Sequence, residues 1–323
     1  MHMQVFDCAI AWEWEPDRQY IHLLNDACQA KGVSTYLMGP ANITETIARL
    51  ERGELIFRVF YDRASDTDAR FLPLIHYTRQ MKSFSVNEYS DTLRALDKAT
   101  MHLEFLTKGI LVPYTVILSP YYADPGLKIT ELERLGRPFI IKPATGGGGT
   151  GVVLGAETLH DIIEARKQFG SDKYLLQEKV QASVVDSRRT WFRVIYCCGS
   201  VFPFWWDDRI HIYENVTEVE RFNYNLDALW KIPKDIAEVC HLDIFSTEIC
   251  LTPKQQFITV DYVNDPCDMR PKSIHVDGVP DPSLARIVDV LSNYILKNRD
   301  RSGFVFEQQI SSGPGSPTGI VAD

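Results

Sequence analysis

Nowhere do the 323 residues hold an apolar run approaching the ~20 needed to cross a bilayer. The Met1 end has no basic stretch leading into an apolar core, so no secretory signal is expected. The chain is therefore expected to work in the cytoplasm, away from membranes. Cysteine is sparse in pattern: Cys8, Cys28, Cys197, Cys198, Cys240, Cys250 and Cys267 contain no Cys-x-x-Cys pair and are odd in number. That argues against a disulfide framework and against a zinc site, and predicts reduced, largely buried thiols. A concentrated Lys/Arg block is also missing, and 34 basic against 43 acidic residues leave a net charge of −9. Nucleic acid is excluded as an expected partner on that ground. Any work on phosphate must fall to local groups.

With 45% hydrophobic residues, the chain can build two or three domains with real cores. Residues 4–12, 33–38 and 55–60 read as strands. Helices are expected from Asp17, acting as a cap, to Lys31, from Asn42 to Glu51, and over 68–81. Alternation of this kind implies a small parallel α/β domain over about the first 90 residues. Periodicity then makes 91–106 one helix, followed by Gly109-Ile110-Leu111-Val112-Pro113-Tyr114-Thr115.

Four glycines in a row, Gly146 to Gly149, lie between two apolar β-type segments, 139–142 and 152–154, with no room for a helix. A backbone without side chains can turn its N–H groups closely onto an anion. A P-loop would need Lys-Ser/Thr and a helix directly after the glycines, and a dinucleotide fingerprint also opens a helix. Here Lys142 comes before the loop, on the incoming strand, and Thr150 with a second strand follows. The loop thus reads as a mobile hairpin.

A second constellation lies at 244–252 and 257–266, two apolar stretches around Pro253-Lys254-Gln255-Gln256. If that turn closes a hairpin with Thr252 opposite Phe257, counting outward sets Glu248 opposite Asp261. Two facing carboxylates among Ile, Val and Phe repel, so a cation is expected between them. Mg²⁺ meets the need, being held by one or two carboxylates plus phosphate oxygens.

In order, Lys98, Lys142, the glycine loop, Gln177-Glu178-Lys179-Val180, Glu248 and Asp261 resemble the ATP-grasp superfamily, of the glutathione synthetase ATP-binding type, over residues 90–300. The resemblance implies an α/β fold, α+β in its ATP-grasp part. An N-terminal Rossmann-like domain over 1–90 would precede a two-subdomain ATP-grasp fold over 91–300, with its lid at about 115–178. A linker-like tail would follow over 301–323. It further implies that Lys98 and Lys142 contact phosphates and that Gly146, Gly147, Gly148, Gly149 and Thr150 close over them. Gln177, Glu178 and Val180 would form the adenine hinge. Arg193 would reach the phosphates or the acyl intermediate, although Trp191 stands where the family has an acid. Glu248, Asp261 and Asn264 would bind metal, two Mg²⁺ with Mn²⁺ as a substitute. The family's asparagine comes two residues after the acid; here it comes three after, so a bulge near Val263 must bring it round, or Asp265 takes the role.

Arg270 is then placed to clamp a substrate carboxylate, and residues 208–225 to line the acceptor pocket. The implied activity is ATP-dependent: a small-molecule carboxylate becomes an acyl phosphate, an amine attacks it, and ADP and phosphate leave. A small-molecule kinase on the same fold, a nucleotide-binding regulatory protein without turnover, and a homodimer all stay open.

Overall fold

In the computed structural model, residues 3–126 and 132–301 are described. They build a four-stranded parallel sheet, a four-stranded antiparallel sheet, a five-stranded antiparallel sheet and a two-stranded ribbon. In the parallel sheet the strands run Thr35–Met38, Gln4–Trp12, Leu55–Arg63 and Phe84–Val86. The run Leu55-Ile56-Phe57 is buried in sequence without alternation, as a parallel strand covered on both faces requires. The last strand, three residues long, is too short to carry a pattern.

Two expectations near this sheet fail for physical reasons. Asp17 precedes the helix Arg18–Ala30 but makes no side-chain cap; its carboxylate accepts from Arg63 Nε at 2.8 Å instead. A buried guanidinium needs that partner more than an exposed helix start needs a cap. The single helix expected over 91–106 is two, Tyr89–Leu96 and Lys98–Lys108, broken at Asp97. The Asp97 carboxylate caps the second, accepting from the N–H groups of Ala99 and Thr100 at 3.0 and 3.1 Å. Lys98 is thereby fixed in the first turn, and its backbone N–H donates to Ala144 O at 2.8 Å.

The second sheet runs Thr115–Leu118, Tyr174–Gln177, Phe139–Pro143 and Val153–Ala156, all antiparallel. The hairpin around the glycines is there. Helix Leu159–Gln168 follows, with a capping box between Thr158 and Asp161. Its buried face carries Ile162, Ala165 and Arg166, while Leu159 is exposed.

The third sheet runs Tyr213–Asn215, Ser200–Trp206, Trp191–Cys197, Ile244–Leu251 and Phe257–Asn264. The helix Asp281–Asn298 packs between this sheet and helix Arg18–Ala30 in one apolar cluster that includes Ile10, Leu24, Ile195, Phe204 and Leu291. The cluster crosses the boundary expected near residue 90. Asn87 pins the same joint: Nδ2 donates to Ile244 O at 2.7 Å and Oδ1 accepts from Asp243 N at 2.7 Å.

All seven cysteines are free, and all but Cys198 are buried. No helix among the described residues is long and apolar enough to cross a membrane. The tail expected over 301–323 lies, beyond Arg301, outside the described residues.

Candidate active site

Glu248 and Asp261 are opposed across the last two strands of the five-stranded sheet. The ladder pairs Leu251 with Phe257, Cys250 with Ile258 and Ile249 with Thr259, one step off the expected count. A register shift at Val260 then restores the Glu248–Asp261 opposition, and a second shift brings Asn264 opposite Ser246. The second is the irregularity that a three-residue spacing demands. Asn264 Nδ2 donates to Ser246 O at 3.4 Å. Asp265 is oriented otherwise, accepting from Thr92 Oγ1 at 2.9 Å.

Electrostatically the two acids differ. Burial, only partly offset by Arg193 and reinforced by Asp261, pushes the Glu248 carboxyl up to about 7. Burial also opposes ionisation of Asp261, but Lys142, Lys98 and the Asn264 amide outweigh it and hold that carboxyl below its usual range. Trp191 Nε1 donates to Glu248 Oε2 at 3.3 Å, so the residue standing in place of the family's acid still contacts the site. Arg193 pairs with Glu248, Nη1 to Oε1 at 3.7 Å, donates to Ser246 Oγ at 3.2 and 3.3 Å, and lies over the Trp206 ring.

The carboxylate oxygens of Glu248 and Asp261 are hard donors of the kind that suits Mg²⁺. Among the described residues no group of three or more His, Cys, Asp or Glu side chains is placed to hold a metal. An ion here would need the Asn264 amide oxygen and substrate oxygens to complete its shell. The residues fit the ion on those terms.

Lys142 is buried beside the pair. Its ammonium donates to Val260 O at 3.1 Å and sits 5.3 Å from the centroid of the Tyr262 ring. Burial lowers its pKa, against the pull of Asp261. Tyr262 is braced from behind by His102 Nδ1 at 2.7 Å and Gln177 Nε2 at 3.0 Å.

The glycine loop lines a cavity of about 660 Å³ whose wall does not include Glu248, Asp261 or Lys142. Gly146, Gly147 and Gly148 line it with Lys98, Arg193 and Asn264. Lys98 Nζ donates to Gly146 O at 2.6 Å. Thr145 anchors the loop's base, its N–H and hydroxyl both bonded to Asp172 Oδ2 at 2.9 and 2.8 Å. Gly149 and Thr150 are exposed and off the cavity wall; the Thr150 N–H donates to Gly147 O at 3.3 Å.

Other expected residues lie elsewhere. Gln177 is buried, donating to Tyr262 Oη and to Thr115 Oγ1, so its side chain serves the fold. Glu178 is tied to Tyr114 at both ends, Oε1 accepting from its N–H at 2.8 Å and its own N–H donating back at 2.9 Å. Val180 packs on the main core cluster. Arg270 is engaged by two carboxylates, Asp268 through Nε and Nη2 and Asp277 through Nη2 at 2.8 Å. No residue of 208–225 lines the cavity.

In their place stand Glu13, Trp14, Asp66 and Thr67, from loops after two parallel strands, with Asp17 and Asp268. Motif spacing could not find them. The rule that ligands sit beyond the carboxyl ends of parallel strands could have.

No family model matches the chain, and no curated protein matches its sequence. Solved structures do. One is the RimK domain ATP-grasp protein from Sphaerobacter thermophilus DSM 20745, 20% identical, with a TM-score of 0.62 over 90% of this chain and 99% of that one. Another is the ATP-grasp ligase PsnB complexed with precursor peptide PsnA2 and AMPPNP, 12% identical, TM-score 0.58, over 91% and 99%. D-cycloserine synthetase DcsG is 13% identical, TM-score 0.57, over 90% and 100%. At these identities the likeness is one of architecture, over about nine tenths of the chain: the chain has the ATP-grasp fold.

Proposed function

We propose that this chain is an ATP-dependent ligase that joins a carboxylate to an amine through an acyl phosphate. The observation that carries the reading is the Glu248–Asp261 opposition with Lys142 beside it, next to a cavity lined by the glycine loop, Lys98, Arg193 and Asn264. Mg²⁺ held by Glu248, Asp261 and Asn264 would neutralise the triphosphate as it meets these buried acids. Lys98 and Lys142 hold phosphate oxygens, and the glycine N–H groups close on the transferring group. A carboxylate oxygen of the substrate bonds to the γ-phosphorus as its bond to the bridging oxygen of ADP breaks. The amine nitrogen then attacks the acyl carbon, phosphate departs, and the nitrogen gives up one proton to solvent. Arg193, between Glu248 and Ser246, is placed to steady the carboxylate or the phosphoryl group. Loop closure protects the acyl phosphate from water.

The backbone at Gln177–Val180 is our reading for the adenine edge. Free thiols suit a reducing compartment, the cytoplasm. The precursor peptide in PsnB and the small product in the name of DcsG bracket the size of acceptor the cavity would take.

The test is a panel of carboxylic acids and amines, assayed for ADP release and by mass spectrometry. A condensed product with ADP and phosphate supports the reading. A phosphorylated alcohol as sole product, or AMP and pyrophosphate, overturns it.

A further inference from the structure

The cavity has two ends of different chemistry. Lys98, the glycines, Arg193 and Asn264 make the phosphate end. The other is made by Glu13, Trp14, Asp17, Asp66 and Asp268, with Arg63 as its one cation among the described residues. Arg63 is committed: its guanidinium donates to Asp17 and to Cys267 O, and it is buried. Arg270, just behind, is neutralised by Asp268 and Asp277. The expected carboxylate clamp is thus absent from this end, and the balance of charge on the wall is negative.

A second observation is independent of that count. Asp17, a residue of this wall, is 2% exposed, and Arg63 bonds only its Oδ2, so Oδ1 is buried without a hydrogen-bond partner. A buried carboxylate oxygen without a donor is costly unless something supplies one. Trp14, 42% exposed at the same end, already takes a cation on its ring, with Arg270 at 5.4 Å from the centroid. Acids around an indole are a setting for a cation. Asp66 faces Glu13, Asp62 and Arg63, and burial with the Asp62 charge raises its carboxyl to about 6. A cation bound here would relieve that repulsion.

We propose that this end of the cavity binds a second, non-reacting cationic group of the acceptor, an ammonium or guanidinium. The amine substrate is accordingly a diamine, a basic amino acid or a chain bearing one, and not an acidic molecule. This rests on the ligase reading for the role of the acceptor, but binding can be tested apart from turnover.

The probes are butane-1,4-diamine and butylamine, which share one amine and differ in the second. Calorimetry on the full chain with Mg²⁺ and AMPPNP is expected to find the diamine bound about tenfold more tightly. In the Glu13→Gln/Asp66→Asn variant, with folding checked by thermal melting, the ratio should fall to about twofold or less. Asp66→Lys should reverse it, favouring 4-aminobutanoate over the diamine. Equal binding of the two probes by the parent, or an unchanged ratio in both variants, overturns the proposal. ADP release is measured separately. A diamine preference without ADP release from any acid and amine pair leaves the cation site standing and removes the ligase reading. Turnover with neutral acceptors and no diamine preference does the reverse.

Discussion

Lys98 and Gly146 are joined by a hydrogen bond of 2.6 Å from ammonium to carbonyl, tying the start of a helix to the glycine loop across the mouth of the cavity. The loop therefore has a specific partner in Lys98, whose ammonium keeps two further N–H donors for a phosphate. Lys98→Met is expected to weaken ATP binding about tenfold or more, the scale of one lost charged hydrogen bond. Titration by calorimetry checks it, and unchanged affinity would remove Lys98 from the phosphate site. Within the loop, Gly148 has φ +62 and open space where a Cβ would go, whereas a Cβ on Gly151, φ +75, would meet Phe169 Cε2 at 2.6 Å. Gly148→Ala should lower turnover with little change in melting temperature; Gly151→Ala should lower the melting temperature.

Glu248→Gln and Asp261→Asn should each abolish the gain in ATP affinity that Mg²⁺ brings. In the parent that gain is expected to be about 5- to 150-fold, the usual span of coupling between two ligands. The comparison is ATP binding with Mg²⁺ against EDTA for all three proteins. Equal affinity in every condition would sink the metal assignment.

How far the sequence speaks can be judged at these two acids. Their opposition is legible because a short turn joins two apolar runs, but the count that yields it assumes Thr252 opposite Phe257. The molecule has Leu251 there, and Val260 makes up the difference. The glycine hairpin, with Lys142 on its incoming strand, is local and legible for the same reason. Asp17 and Asp97 mark the limit. Both precede helices, yet only Asp97 caps one, because Asp17 has Arg63 as a rival partner 46 positions away. Glu13 and Asp66, on the cavity wall where no residue of 208–225 lies, are out of reach of motif reading for a like cause: they meet only when separate strands of one sheet end side by side.

His102 should make the fold sensitive to mild acid. It is 4% exposed, and burial, with the nearby Lys142 charge, lowers its pKa to about 4. Because the folded value is depressed, the unfolded chain takes up a proton below about 6.5 that the folded one refuses. The stability present above 6.5 is lost as pH falls toward 4, by up to about 3 kcal/mol. Urea unfolding at pH 7 and pH 5 is expected to give a drop larger by about 2 kcal/mol in the parent than in His102→Gln. Equal drops would mean the imidazole is not held neutral.

The buried Asp17–Arg63 pair should be costly to break and cheap to replace. Either Asp17→Ala or Arg63→Ala leaves one buried charge and is expected to destabilise by about 3–5 kcal/mol. Asp17→Leu with Arg63→Met should recover most of that. Denaturant unfolding of the three variants checks it. Single variants within about 1 kcal/mol of the parent would contradict the burial of the pair.

The register shift at Val260 does more than realign two acids. By falling between the two registers, Val260 offers a carbonyl to the ammonium of Lys142, which belongs to another sheet. Deleting Val260 would regularise the ladder with Glu248 still facing Asp261, yet it would take away the acceptor that holds the lysine. The irregular residue thus works as a rivet between the sheet of the glycine hairpin and the sheet of the acids. In sequences of this architecture, a one-residue gap at this point would mark chains whose lysine has come loose from its carboxylates.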